Sequence, residues 1–367
     1  MRRLLGLLFI GLLVIAGWLG VSLLLPYQGF SSQGTYVDVP RGASRRSIAG
    51  LLESAGVVRN RWAFEILSRL RPRRTLEAGE YFFDRPVTSL DVFETLASGR
   101  VYVRELVIPE GFSMFDIAAL VEHQQFTTRE QFLAAASNPA PIRDLAPGAP
   151  SLEGFLFPAT YEFPRHPSAE DMVTAMVKRF RREWAAVSSE TTDTSGLSVN
   201  QAVTLASLVE RETPKPDERP LVAGVFANRL RERLPLQCDP TVVYALELAG
   251  KYGGSLAAAS LPFESPYNTY RHTGLPPGPI ANPGNASLRA ALDPQETDYL
   301  YFVANTEGGH FFGKTLAEHD RNVALYRHRL AEERTAEGLP KSDPSTPIPS
   351  GSTGSAGNAA PSPRRSP

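Results

Sequence analysis

The sequence predicts an α+β protein with an N-terminal transmembrane helix, a small α+β module, a larger α+β domain and a disordered C-terminal tail. Three observations predict this division. Residues 4–25 are apolar and uncharged, helix-like and strand-like patterns alternate from about residue 36 to residue 333, and Ser, Pro, Gly and Ala dominate the chain from residue 341. We set the boundaries at 1–28 for the stub and anchor, 29–34 for a linker, 35–105 for the module, 106–338 for the larger domain and 339–367 for the tail.

Composition limits the classes of function. The 367 residues carry 42% hydrophobic side chains, enough for real cores, and a net charge of −1 that argues against nucleic acid as a partner. Cys238 is the only cysteine, so the chain cannot form an intrachain disulfide or a cysteine-rich metal site. The six histidines form no HExxH pair. We therefore expect neither a metal site nor a cofactor.

The apolar run predicts a membrane anchor. Arg2 and Arg3 precede residues 4–25, a stretch longer than the ~7–15 residues of a signal-peptide core and close to the ~20 needed to span a bilayer. Positive charge on the short N-terminal side predicts a single pass with the N-terminus in the cytoplasm and the remaining chain across the membrane. In a bacterium this means the inner membrane, with the remaining chain in the periplasm. The alternative is a signal peptide cleaved near residues 20–22. Either reading exports the rest of the chain.

A strand, a turn and a helix recur in the first half of the chain. Residues 36–39 predict a strand, 40–44 a Pro-x-Gly-x-Ser turn and 48–52 a helix, and the same residue types return 69 positions later in 109–113 and 117–120. We interpret this as an internal repeat in which Ser44 and Ser113 cap helices, against the alternative of a chance match between two turns.

The module between the two copies contains a predicted helix at 61–69, a strand at 78–83 and a helix at 90–97. This order resembles LysM modules, whose family role is to bind glycans that contain N-acetylglucosamine. Glycan binding and a plain spacer role are both left open for it.

Residues 151–163 carry four aromatic side chains around Glu153 and Glu162. Rings beside carboxylates suit a sugar-binding cleft, because sugar C–H faces stack on aromatic rings. The same composition fits a strand that contributes aromatic residues to the core.

Residues 198–214 hold the strongest helix signal and two acids at its end. Ser198 and Gln201 form a capping-box pattern, apolar residues recur on one side, and Pro214 ends the helix, so Glu210 and Glu212 fall in its last turn. We expect the polar residues Thr204, Ser207 and Arg211 on the solvent side. Acids are disfavoured at a helix C-terminus, and a carboxyl against apolar side chains tends to stay protonated and can act as a general acid. The alternative is a solvated end that pairs with Arg211 or Lys215.

Beyond this helix the sequence predicts helices at 221–230 and from about 240, a strand at 299–305, a second after the turn at 308–309, and a last helix at 316–333. Residues 266–284 are rich in Pro and Gly, which favours a rigid functional loop.

Several blocks together resemble the MltG (YceG-like) family of membrane-anchored endolytic murein transglycosylases. They are LASLVERET at 205–213, FANRL at 226–230, LQCDPTVVYAL at 236–246, SPYNTYRHTGLPPGPIANPG at 265–284, and YLYFVAN with GGHFF at 299–312. The resemblance covers about residues 36–330. It implies that 106–338 is the catalytic domain and that Glu212 is the catalytic acid. Glu210, the first Glu of the same block, is a candidate for substrate binding. Cys238 departs from the family, where a Thr is common.

The resemblance also implies a reaction. Glu212 protonates the oxygen between N-acetylmuramic acid and N-acetylglucosamine, then takes the proton of the muramoyl C6 hydroxyl, which leaves a 1,6-anhydro end. Glu153, Tyr267 and Asn268 are our candidates for stabilising the transition state, with Gln237 and Asp239 as weaker ones. Peptidoglycan strands are the implied substrate, and peptidoglycan synthases (penicillin-binding proteins) are implied neighbours whose nascent strands the enzyme terminates.

Two other functions are kept open. One is a hydrolase in which Glu153, Glu162 or Asp239 activates water, since glycosidases usually need two carboxylates. The other is a non-catalytic scaffold that binds the wall through the module.

Overall fold

The computed structural model describes residues 2–336, so the predicted tail lies outside the described residues. The described chain forms two compact units, one of residues 2–105 with Glu162–His166, and one of Leu106–Tyr161 with residues 167–336. Each unit has its own set of helices and strands.

Helix α1, Arg2–Leu24, has the length and composition of a membrane span over Leu5–Leu24, and nearly all of its side chains in that stretch are exposed. This fits a single-pass anchor. Immediately after it, Tyr27 exchanges two backbone hydrogen bonds with Val87, at 2.9 and 3.2 Å. The Ser89 hydroxyl also donates to the Ser22 carbonyl at 2.8 Å, so the first unit is fastened to the end of α1.

The first unit is a two-stranded sheet with helices packed around it. Tyr36 pairs with Phe82 in the antiparallel register of the strands, and Tyr81, Phe64 and Phe93 fill the core. Its elements in chain order are β1 (Thr35–Val39), α2 (Arg45–Ser54), α3 (Arg61–Leu70), β2 (Gly79–Phe83) and α4 (Ser89–Ala97).

The predicted repeat folds twice as strand, turn and helix. The second copy consists of β3 (Arg104–Val107) and α5 (Met114–His123). Gly42 and Gly111 occupy equivalent turn positions with φ of 76° and 78°, a left-handed conformation that favours glycine. Ser44 and Ser113 cap the two helices as predicted. Strand β3 pairs with β4 (Thr160–Phe163).

The second unit is mainly helical, with one β-hairpin. Its remaining elements are α6 (Arg129–Ala136), α7 (Ala169–Glu190), α8 (Val199–Glu212), α9 (Arg219–Arg231), α10 (Asp239–Leu248), α11 (Asn285–Leu292), β5 (Tyr301–Ala304), β6 (His310–Gly313) and α12 (Leu316–Ala336). Helix α11 packs against α7, α8 and α9, and α10 also packs against α8, which makes α8 the central helix.

Two local features differ from the sequence prediction. Helix α6 was not predicted, although Thr128 and Gln131 form a capping box at its start. Residues 151–159 form turns rather than a strand, and their aromatic side chains Phe155 and Phe157 are buried. The aromatic run therefore contributes to the core.

Candidate active site

Helix α8 carries the two predicted acids and is buried on nearly every side. Ser198 and Gln201 form the expected capping box. The expected solvent face is wrong, because Thr204 and Ser207 are both buried. Their hydroxyls donate to the carbonyls of Asn200 and Thr204, so an all-round buried helix leaves these groups satisfied.

Glu212 is the last residue of α8, and its side chain lies inside the protein. The residue is 0% exposed, and extended backbone at Thr213 ends the helix. The Cys238 thiol lies beside the Glu212 carboxyl; burial raises the pKa of this thiol, and the charge of Glu212 raises it further. The Glu212 carboxyl therefore lies next to the start of another helix.

That helix is α10, whose first turn is fixed beside Glu212. Gln237 has a left-handed φ of 53°, and its N–H donates to the Thr269 carbonyl at 3.2 Å. The Cys238 N–H donates to the Thr269 hydroxyl at 3.0 Å, and that hydroxyl lies 3.0 Å from the Thr241 hydroxyl. Because a helix N-terminus carries partial positive charge, this placement favours a negative charge on Glu212.

Asp239 and Tyr270 complete this end of the site. The Tyr270 hydroxyl donates to Asp239 Oδ1 at 2.5 Å. Burial raises the pKa of Tyr270, and the charges of Asp239, Cys238 and Glu212 act in the same direction. Both carboxylates therefore lie close enough to influence the pKa of Tyr270. It was not among the sequence candidates, although it lies in the 265–284 block that carries the resemblance.

Arg229 is a second member that the sequence did not single out. Its guanidinium donates to the carbonyls of Leu300 at 2.7 Å and Leu236 at 2.9 Å, and to Gln237 Oε1 at 3.3 Å. Burial lowers the pKa of Arg229, while negative charge on Glu212 is among the influences that oppose this. Arg229 therefore holds Gln237 in place and puts positive charge near Glu212.

Glu153 belongs to a different cluster. Its buried carboxylate accepts hydrogen bonds from the Met114 N–H at 2.8 Å and the Asn282 amide at 2.9 Å. It also contacts the Tyr244 hydroxyl, and burial raises the pKa of Glu153 to about 8. The Tyr267 ring lies 5.0 Å from the Tyr244 ring, and burial raises the pKa of Tyr267 to about 12.

Asn268 shapes the loop that carries Tyr270. Its buried amide nitrogen donates to the carbonyls of Leu261 and Phe263, both at 2.7 Å, and its oxygen accepts from the Tyr270 N–H at 2.9 Å. These three hydrogen bonds use both the nitrogen and the oxygen of the Asn268 amide.

Glu210 braces the helices around α8. It pairs with Arg219 of α9 at 2.7 Å and accepts from the Gly284 N–H at 3.0 Å, just before α11. Burial raises the pKa of Glu210, and the charge of Arg219 opposes the rise. The structure thus brings Glu212, Gln237 and Asp239 together and gives Glu210 contacts of its own.

Two further observations concern the chain outside these clusters. Within residues 2–336, no three His, Cys, Asp or Glu side chains are grouped so that they could hold a metal ion. A cleft of about 940 Å³ lies between the end of α7 and the starts of α9 and α11, with Thr191, Arg289 and Gln295 in its lining. It contains none of the candidate residues.

The Glu153 carboxyl makes stability depend on pH. An unfolded Glu titrates near 4.5 and the folded one near 8, so between these values the folded chain holds a proton that the unfolded chain has lost. Stability should therefore fall as pH rises through this window, by up to about 1.4 kcal/mol per pH unit. Asp116 and Glu247 face the same group, and burial raises the pKa of Glu247 to about 7, which adds a slope of the same sign.

We expect urea unfolding at pH 5, 6, 7 and 8 to show this decline, and the Glu153→Gln variant to flatten it. Glu247→Gln should remove a smaller part of the slope. A Glu153→Gln variant with the wild-type slope would contradict the assignment.

Comparison with known proteins identifies the relatives of this chain. The YceG-like family model matches residues 37–325. The endolytic murein transglycosylase of Bacillus subtilis is 35% identical over 323 residues, which cover 84% of this chain and 89% of that protein. The endolytic murein transglycosylase of Streptococcus pneumoniae is 31% identical over 354 residues, covering 87% of this chain and 64% of that protein.

The chain is also similar to a solved structure. A crystal structure of a YceG-like protein from Listeria monocytogenes aligns with a TM-score of 0.53 and 35% identity. The alignment covers 79% of this chain and 99% of that one.

Proposed function

The chain belongs to the YceG-like family, and we propose that it is an endolytic murein transglycosylase whose catalytic acid is Glu212. One observation carries the assignment of the residue. Glu212 is a fully buried carboxyl at the end of the central helix, beside Cys238 at the start of α10, and its charge acts on Tyr270 and Arg229. These groups all lie in the part of the chain that matches the family.

The reaction needs one group that first gives and then takes a proton. Glu212 protonates the oxygen that links C1 of N-acetylmuramic acid to N-acetylglucosamine, and the C1–O bond breaks. The muramoyl O6 then bonds to C1 while its proton passes to the Glu212 carboxylate. The product carries a 1,6-anhydro end, Glu212 is protonated again, and no water is consumed.

The surroundings of Glu212 support both halves of this cycle. Burial and the C-terminal end of α8 favour the protonated acid that starts the reaction. The start of α10 and the positive charge of Arg229 favour the carboxylate that forms after proton transfer. We assign the stabilisation of positive charge at C1 to Asp239 and Gln237, and support of the surrounding fold to Glu153, Tyr267 and Asn268.

The anchor and the substrate set the location. Arg2 and Arg3 favour a cytoplasmic N-terminus, so the chain after α1 lies in the periplasm, anchored to the inner membrane. In that position the enzyme can reach glycan strands as they leave peptidoglycan synthases and can terminate them.

A hydrolase is the second candidate. The presence of a second carboxylate, Asp239, in the same site favours it. The charges of Asp239 and Glu212 both raise the pKa of Tyr270, so two carboxylates lie near the same side chain. In this case Asp239 activates water, and the product is a reducing muramic acid end.

Mass spectrometry of the products separates these functions. Purified full-length chain is incubated with uncross-linked glycan strands in ¹⁸O-labelled water, and the new ends are analysed. We expect anhydro ends, one water lighter than reducing ends and free of the label, on fragments cut inside the strands. Labelled reducing ends would establish the hydrolase, and intact strands with retained binding would establish a scaffold.

The Cys238 thiol is proposed to position Glu212, which a pair of variants can test. Cys238→Ala removes the thiol beside Glu212 and is expected to lower kcat about tenfold, about 1.4 kcal/mol, with KM unchanged because the thiol does not touch substrate. Cys238→Ser retains a donor and should keep most of the activity. Wild-type kcat in a folded Cys238→Ala variant would rule out this role.

A further inference from the structure

Helix α3 of the first unit has an outward apolar stripe. Trp62, Ile66 and Leu70 are 46%, 38% and 72% exposed, and their spacing of four residues puts them on one face of the helix. The opposite face carries Phe64 and Leu67, which lie in the core of the unit. The stripe is therefore not needed to close this core.

Arginines border the stripe. The guanidinium carbons of Arg61 and Arg46 lie 4.9 and 5.6 Å from the centre of the Trp62 ring. Arg69 lies on the same exposed face, and Arg73 follows the helix and is exposed. A helix face with apolar residues in the middle and arginines around them is typical of surfaces that bind anionic membranes.

The stripe belongs to a unit fixed to the end of α1. Leu23, in the last turn of α1, packs against the core that contains Phe64 and Leu67 of α3. Arg59, just before α3, lies 4.7 Å from the ring centre of Tyr27, the aromatic residue that follows the span. Helix α3 is thus held close to the level where the span leaves the bilayer, and tyrosine, tryptophan and arginine are the side chains favoured at that level.

We propose that the outward face of α3 rests on the periplasmic leaflet of the bilayer that holds α1. In this arrangement Trp62, Ile66 and Leu70 enter the boundary between headgroups and acyl chains, and the arginines pair with phosphates of anionic phospholipids. The inference rests on the proposed anchor and adds a second membrane contact, which fixes the tilt of the first unit.

The three tryptophans of the chain allow a direct test. Full-length chain is reconstituted in vesicles of phosphatidylglycerol and phosphatidylcholine whose acyl chains are brominated near the headgroup. Trp18→Phe with Trp184→Phe leaves Trp62 as the only tryptophan, whose emission is excited selectively at 295 nm. Two matched controls leave only Trp18, within α1, or only Trp184, which lies in the second unit.

We expect bromine to quench at least half of the Trp62 and Trp18 emission and little of the Trp184 emission. Replacing Arg61 and Arg69 by Gln should reduce the quenching of Trp62 and leave that of Trp18 unchanged. Quenching of Trp18 without quenching of Trp62 would overturn the inference while leaving the anchor intact. Unquenched Trp18 would overturn the anchor and the inference together.

A glycan-binding role for the stripe gives a different result. If Trp62 emission responds to soluble murein fragments and not to brominated lipid, the face binds glycan, and the membrane proposal is wrong.

Discussion

The Glu212→Gln variant is expected to form anhydro ends about 10²–10⁴-fold more slowly than the wild type, because an amide cannot give its proton to the leaving oxygen. Gln has nearly the same shape as Glu and can still contact the Cys238 thiol, so the fold should persist. The measurement is the rate of anhydro-muropeptide release by the full-length chain, with the melting temperature recorded for the same samples.

Glu190→Gln is a matched control for this loss. Glu190 ends α7 and pairs with Arg289 at 2.7 Å on the surface, so its replacement should leave the rate unchanged. If folded Glu212→Gln keeps more than a tenth of the wild-type rate, another group supplies the proton. Asp239→Asn would then be the next variant to measure.

Arg219→Met should cause the largest loss of stability, about 3–5 kcal/mol in urea unfolding. Arg219 and Glu210 have side chains only 7% and 5% exposed, and their contact at 2.7 Å compensates two buried charges. Removing the arginine leaves Glu210 charged in a dry interior or forces it to take up a proton. Either outcome weakens the junction of α8, α9 and α11.

Two further variants test this explanation. Glu210→Gln combined with Arg219→Met removes both charges and should recover a large part of the loss. Lys314→Met breaks a pair of exposed residues, Lys314 and Asp298, and should cost about 0–1 kcal/mol. Equal losses from Arg219→Met and Lys314→Met would show that burial of the pair does not matter.

Local sequence signals predicted much of the fold. The caps at Ser44, Ser113 and Ser198 and the turn glycines act within a few residues, so their patterns can be recognised without tertiary information. The burial of Thr204 and Ser207 could not be predicted in this way. It depends on α10 and α11, which surround α8 from distant parts of the chain.

The sequence predicts only part of the candidate site, because some of its residues come together only through the tertiary fold. Glu212 could be singled out by its place at a helix end, and Gln237 and Asp239 by the resemblance. Tyr270 and Arg229 reach the site through contacts across the tertiary fold, which no local pattern reports. Glu153 also has suitable chemistry in the sequence, but its partners Met114 and Asn282 hold it in another cluster.

The contact between Cys238 and Glu212 supplies a native spectroscopic label. Since the chain has a single cysteine, its S–H stretch is one isolated infrared band, in a region where water and peptide groups absorb little. The band shifts with the strength of the hydrogen bond that the thiol donates. Its frequency during turnover would therefore follow the charge of the neighbouring carboxyl in the unmodified enzyme, without a dye.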